Sequence, residues 1–130
     1  MATETAQPQQ DATAKRVLVI DADVRAWEAR AKLLIAKGYL IHRVSTLADA
    51  PHQWPMHLYD LVIVAVTGDL AAIRSFCQEL KKANPHVKVA LLASQAAAAE
   101  TAEFLADARI SSEGTAVQFA DAVEELLSRG

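Results

Sequence analysis

The stretch 16–23, with the sequence RVLVIDAD, constrains the fold more than any other part of the chain. A short run of aliphatic residues ends abruptly at two carboxylates, Asp21 and Asp23. A run this short and apolar is typical of a strand that is buried on both faces of a parallel sheet. Because ligands and chemistry collect where such strands end, Asp21 and Asp23 form the first candidate site.

Strand and helix patterns alternate along the rest of the sequence. Strands are predicted at 16–20, 39–44, 59–66, 87–93 and 109–111, and helices at 24–37, 46–54, 70–82, 95–107 and from 116 onwards. Parallel strands need helical crossovers, so this alternation predicts one doubly wound α/β domain whose sheet is covered by helices on both faces.

Capping residues support these helix boundaries. Asp23, Asp69 and Ser94 each precede a helix and can accept hydrogen bonds from its free N–H groups. Thr115 and Gln118 have the spacing of a capping box. These observations give Asp23 and Asp69 a structural explanation that needs no chemistry.

The first and third helices have apolar stripes that predict their buried faces. Trp27, Leu34 and Ile35 recur at helical spacing, and Arg30 falls among the charged residues of the other faces. In the third helix Cys77 belongs to the stripe, so we expect an inert, buried thiol. As the only cysteine, it cannot form an internal disulfide. Phe104 and Leu105 are expected to be the buried residues of the fourth helix.

Composition and charge restrict the function. The 130 residues fit one domain, predicted at 15–130 after a disordered tail at 1–14, and the net charge is −3 without a basic cluster. This balance disfavours nucleic acid and anionic membranes as partners. No run approaches the roughly 20 apolar residues of a transmembrane helix. We therefore expect a cytoplasmic protein.

Metal binding has little support in the sequence. His52 and His57 lie five positions apart without a cysteine or carboxylate at a known ligand spacing, so we predict no metal site there. Between them, Trp54 is either a core residue under a loop or an exposed anchor for a partner. The simpler interpretation is packing.

Over residues 15–130 the sequence resembles the receiver domain of bacterial two-component response regulators. The resemblance rests on the first strand with its acidic end and on Leu34-x-x-x-Gly38-Tyr39, and it extends to the segments YDLVIV at 59–64 and NPHVKV at 84–89. It implies a flavodoxin-like (βα)5 fold with a parallel sheet in the order 2-1-3-4-5. It also implies a role in signalling.

The same resemblance implies that the phosphorylation site is disabled. Receivers have two adjacent acidic residues after the first strand, an acceptor aspartate ending the third, a hydroxyl after the fourth and a lysine after the fifth. Here the corresponding positions are Asp21 and Ala22, Ala65, and Ala93, with Ser94 available after a one-residue slip; no lysine follows Lys88. Alanine provides neither an oxygen for Mg²⁺ nor a phosphate acceptor.

The leading hypothesis is therefore a non-enzymatic pseudo-receiver without a cofactor, which binds a protein partner. The family would place that contact on the fourth helix, fifth strand and fifth helix, and a homodimer is compatible with it. An alternative is a receiver phosphorylated at Asp69. Another is a flavodoxin-like ligand-binding protein, although Asp21 and Asp23 put negative charge where such proteins bind phosphate. With no cation, Asp21 is expected to lack a partner, so Asp21→Asn should be neutral or slightly stabilising.

Overall fold

The computed structural model describes residues 14–52 and 58–128. Its strands are β1 (Arg16–Ile20), β2 (Leu40–Val44), β3 (Leu61–Ala65), β4 (Lys88–Ala93) and β5 (Ala108–Ser111). Its α-helices are α1 (Val24–Ala36), α2 (Leu70–Ala83), α3 (Gln95–Glu100) and α4 (Ala116–Ser128), and a 3₁₀ helix covers Leu47–His52.

The strands form one parallel sheet in the order β2-β1-β3-β4-β5. This confirms the predicted α/β class and strand order. Ile20, the last residue of β1, pairs with Val44 on one side and Val64 on the other. Since β1 and β3 end level with each other, the residues that follow Ile20 and Val64 come out at the same edge of the sheet.

The sheet separates two apolar cores because successive side chains of a strand point to opposite faces. Val17 and Val19 of β1 join the core under α1 and α4, which includes Trp27 and Phe119. The alternate β1 residues join the core under α2, where Cys77 is fully buried. Burial raises the pKa of the Cys77 thiol to about 11, as expected for an unreactive core cysteine.

The predicted caps are all present. The side chains of Asp23, Asp69 and Ser94 accept hydrogen bonds from the backbone N–H groups at the starts of α1, α2 and α3. Thr115 Oγ1 accepts from Gln118 N at 3.0 Å while Gln118 Oε1 accepts from Thr115 N at 2.9 Å, which confirms the capping box. These caps fix where each helix leaves the sheet.

Two predicted helices differ in the structure. The helix expected at 46–54 is the shorter 3₁₀ helix, in a segment that Pro51 interrupts. The helix expected at 95–107 ends at Glu100, because the alanine-rich α3 buries none of its residues. Phe104 still packs on the core, but Leu105 is 52% exposed, so its predicted burial is wrong.

The prediction for α1 also needs correction at two positions. Ile35 is 60% exposed, whereas Arg30, expected on a solvated face, is only 8% exposed. Because Trp27 and Arg30 are three positions apart, they lie on the same side of the helix. The buried arginine places a positive charge at the edge of the sheet.

Several predictions fall outside the described residues. These are the tail at 1–14, apart from Ala14, together with Trp54 and His57. Among the helices that the structure describes, none is long and apolar enough to cross a membrane.

Candidate functional site

The carboxyl ends of β1 and β3 form the candidate site. Asp21 and Ala65 line two neighbouring cavities of about 330 and 270 Å³. Ala22 also lines the larger cavity, and Asp23 also lines the smaller one. The structure therefore brings together four of the predicted site positions, as the shared edge of the two strands requires.

The Asp21 carboxylate has two hydrogen-bond donors inside the protein. The indole Nε1 of Trp27 donates to Asp21 Oδ2 at 2.5 Å, and the backbone N–H of Asp23 donates to Asp21 Oδ1 at 3.0 Å. Asp21 is itself 9% exposed. The expectation that Asp21 lacks a partner is therefore wrong, since each of its carboxylate oxygens accepts a hydrogen bond.

The backbone of Asp21 is fixed as well. Its N–H donates to the carbonyl of Val44 at 3.0 Å, and its carbonyl accepts from Arg43 Nη1 at 2.7 Å. Both contacts come from the neighbouring strand β2. The rim of the site is thus tied to β2 through the backbone and to α1 through the side chain of Trp27.

Trp27 and Arg30 connect this rim to the last helix. The Trp27 ring meets the Phe119 ring edge to face, with centroids 5.0 Å apart. The Arg30 guanidinium lies 5.5 Å from the Trp27 centroid and 5.3 Å from the Phe119 centroid, within cation–π range of both. Arg30 Nη2 also donates to the carbonyl of Ser112 at 3.2 Å, just after β5.

Asp23 and Asp69 are engaged as helix caps. Asp23 Oδ1 accepts from Ala26 N at 3.2 Å, and Asp69 Oδ1 accepts from Ala72 N at 3.2 Å. Asp69 also lines the 330 Å³ cavity with Asp21 and Ala65. The structure therefore confirms its capping role and also places it beside the candidate site.

No family model matches the chain, and no curated protein matches it. Solved structures do resemble it. An orphan response regulator of H. pylori gives a TM-score of 0.73 at 23% identity, covering 87% of this chain and 96% of that one. A response regulator of Thermotoga maritima gives 0.75 at 17% identity, covering 88% and 98%. A Burkholderia pseudomallei protein described as related to pilus assembly gives 0.71 at 14% identity, covering 88% and 90%.

The chain has the fold of a receiver domain. The neighbours and the strand order agree on this, and at these identities they establish the fold alone.

Of the remaining receiver positions, Ala93 lines a different cavity from Asp21, whereas Ser112 lines the 270 Å³ cavity together with Asp21. Ala93 is 5% exposed and lines a separate cavity of about 350 Å³ with Ser94, and Ser94 Oγ caps α3 by accepting from Ala97 N at 3.2 Å. After β5, where the receiver fold places a lysine, the chain has Ser112 with Arg30 bonded to its carbonyl. A cation from α1 therefore reaches the end of β5.

The residues present do not fit the divalent cation that the receiver fold implies. Ala22 and Ala65 have no side-chain oxygen, and the oxygens of Asp21 already accept hydrogen bonds. Within residues 14–52 and 58–128, no group of three or more His, Cys, Asp or Glu side chains could hold a metal ion. No chemical step is therefore assigned to a metal here.

Arg30 is the residue of this site that the sequence interpretation missed. Charged residues on a helix are usually solvated, and Arg30 looked like its neighbours Arg25 and Lys32. The available signal was its spacing of three residues from Trp27, which places the guanidinium beside an aromatic ring.

Proposed function

We propose that this chain is a non-phosphorylatable pseudo-receiver that serves as a protein–protein interaction module in bacterial two-component-type signalling. One observation supports it above all. At the end of β3, Ala65 occupies the position of the phosphate acceptor. At the end of β1, the carboxylate of Asp21 lines the same cavity and accepts a hydrogen bond from the Trp27 indole. The receiver fold is retained, whereas the groups needed for acyl phosphate chemistry are replaced.

The chemistry of Ala65 explains why no enzymatic role is proposed. Forming an acyl phosphate requires a carboxylate as the nucleophile. It also requires Mg²⁺ to neutralise the charge of the phosphoryl group, and a protein binds Mg²⁺ through oxygen ligands. A methyl group at position 65 meets neither requirement. The proposed module therefore needs no cofactor or metal. We further propose that it acts in the cytoplasm and through its surface.

The proposed partner surface is the face formed by α3, β5 and α4, which corresponds to the predicted fourth helix, fifth strand and fifth helix. Leu105, in the turn after α3, is 52% exposed, and Val117 of α4 is 58% exposed. α3 buries none of its residues, so its side chains are available for contacts. These features suit a protein partner or a second copy of the chain.

Phosphodonor treatment tests the proposal. The protein is incubated with acetyl phosphate and Mg²⁺ and then analysed by intact-mass spectrometry. The expected spectrum contains only the unmodified mass, while an Ala65→Asp variant treated in the same way shows how much reaction a carboxylate at this position allows. A stoichiometric, saturable phosphoryl adduct on the wild-type chain would refute the proposal.

A second candidate function is phosphorylation at Asp69. Its supporting observation is that Asp69 lines the same cavity as Asp21 and Ala65. Its capping bond to Ala72 N opposes this, because a phosphorylated carboxylate would lose that charge-assisted contact. Asp69→Asn preserves a capping side chain, so an adduct seen in the wild type but lost in this variant would favour the second candidate.

The flavodoxin-like alternative has no specific support in the structure. The segment after β1 presents the carboxylates of Asp21 and Asp23, and both accept backbone N–H groups that a phosphate would otherwise need. The neighbours named as response regulators instead support the signalling role proposed here.

A further inference from the structure

The guanidinium of Arg30 is fixed by its neighbours, but most of its N–H groups donate no hydrogen bond to the part of the protein that the structure describes. Within the described residues, its one hydrogen bond to protein runs from Nη2 to Ser112 O. None of the buried side-chain nitrogens or oxygens in that part of the chain lacks a partner, so Nε and Nη1 of Arg30 reach solvent. A 92% buried arginine therefore keeps donors available at the edge of the sheet.

Arg30 borders a defined cavity. Arg30 lines the 270 Å³ cavity together with Ala65, Thr67 and Leu92. The Trp27 and Phe119 rings hold the guanidinium by cation–π contacts, so little side-chain freedom remains to be lost on binding. Nη2 has a second N–H besides the one bonded to Ser112, and this N–H can form a two-donor fork with either Nε–H or Nη1–H, a geometry suited to a carboxylate.

The other charges of the cavity select among anions. Asp21 and Asp23 also line it, and their negative charges disfavour a phosphate dianion more strongly than a single carboxylate. The carboxylates of Asp21 and Asp23 both accept hydrogen bonds from N–H groups of the protein. Among the described residues, Arg30 is the cation that lines this cavity, and it has N–H groups without an acceptor there. The volume lies just below the roughly 300–1,000 Å³ of small-molecule sites, which suits a short side chain.

We propose that the cavity beside Arg30 binds one carboxylate, presented by an aspartate or glutamate side chain of the protein partner. Arg30 donates to the carboxylate oxygens, and the Thr67 hydroxyl donates to one of them. The identity of the partner rests on the proposed function, but the binding of a carboxylate does not.

The test uses acetate as the probe on the full chain. The Arg Nε–H resonances are followed by NMR while chloride is exchanged for acetate at constant ionic strength. We expect a saturable shift at Arg30, a smaller effect of inorganic phosphate, and about tenfold or greater loss of acetate affinity in Arg30→Gln, the factor that corresponds to 1.4 kcal/mol. Arg74→Gln, at an exposed position of α2, serves as the matched control and should bind as the wild type does.

Thr67→Val tests the second donor without removing the buried arginine, and we expect it to lower the acetate affinity. It remains informative if Arg30→Gln fails to fold. Equal, non-saturating shifts at all arginines, or tighter binding of phosphate than of acetate, would overturn the proposal. Phosphorylation at Asp69 in a protein that still binds acetate at Arg30 would refute the proposed function while leaving this site intact.

Discussion

The ends of β1 and β3 lie side by side, but the residues at these two ends differ in their chemistry and their contacts. At β1 the acidic residue is present, and its carboxylate accepts hydrogen bonds from Trp27 and from the backbone of Asp23. At the end of β3 the residue is Ala65, which is half-buried and lines both cavities. The carboxylate at the end of β1 has hydrogen-bond partners within the protein, whereas the methyl group at the end of β3 leaves open space beside it.

Trp27→Ala should have the largest effect on this comparison. Trp27 is 3% exposed, packs on Phe119 and donates to Asp21, so its removal creates a cavity and leaves a carboxylate oxygen without its donor. We expect a loss of about 3–5 kcal/mol in the free energy of unfolding. Urea denaturation monitored by circular dichroism measures it. A loss below about 1 kcal/mol would show that the rim does not depend on Trp27.

Asp21→Asn separates the charge and the acceptor pattern from the packing. An amide presents one NH₂ group in place of an oxygen, so it cannot accept from both Trp27 Nε1 and the Asp23 N–H. We expect a destabilisation of about 1–3 kcal/mol in urea denaturation, which replaces the neutral effect predicted from the sequence. Asp23→Asn is the matched control, because asparagine caps helices as well as aspartate does.

The coupling between Asp21 and Trp27 sharpens that result. In a double-mutant cycle, Trp27→Phe and Asp21→Ala should be non-additive, since each of them removes the hydrogen bond from Trp27 Nε1 to Asp21 Oδ2. Strict additivity of the two unfolding free energies would contradict a direct contribution of this bond to stability.

Ala65→Asp should be tolerated better than either change at β1. The half-buried position opens onto two cavities, so the new carboxylate has room, and its main cost is repulsion from Asp21. We expect a loss of about 1 kcal/mol or less that shrinks as salt is added. Ala65→Asn, which has the same shape without the charge, isolates the electrostatic part in thermal unfolding.

Introducing carboxylates should not create a metal site while Trp27 is present. In Ala22→Asp with Ala65→Asp, the Trp27 indole competes with a cation for Asp21 Oδ2. We expect no saturable rise of Tm with Mg²⁺ for this pair, and a rise once Trp27→Phe is added. Tight Mg²⁺ binding by the pair alone would show that the indole contact yields readily to an ion.

The sequence predicts the fold well because local signals and tertiary structure agree in this chain. The buried strands, the caps at Asp23 and Asp69 and the box at Thr115 all depend on neighbouring residues, and all are confirmed. The sequence overestimates the length of the helix after β4. Alanine favours helix locally, but α3 has no buried face to stabilise a longer helix.

The sequence predicts which residues occupy the site but not the contacts that these residues make. The alanines at positions 22 and 65, where the receiver resemblance would place acidic residues, can be recognised in the sequence itself. The hydrogen-bond donors of Asp21 cannot be recognised in the sequence, because at the same helical position the Trp27 indole N–H could point into the core or towards the rim. The buried Arg30 likewise depends on Phe119, which lies far along the chain and is brought close only by the fold.

The most direct test of the central claim is an NMR titration of the wild-type protein with Mg²⁺ and beryllofluoride, a mimic of the acyl phosphate. If the site is closed as described, the backbone amides of Asp21, Ala65 and Ser94 keep their chemical shifts, and the Trp27 indole N–H stays in its hydrogen-bonded position. Saturable shifts at these amides together with release of the indole N–H would contradict the account.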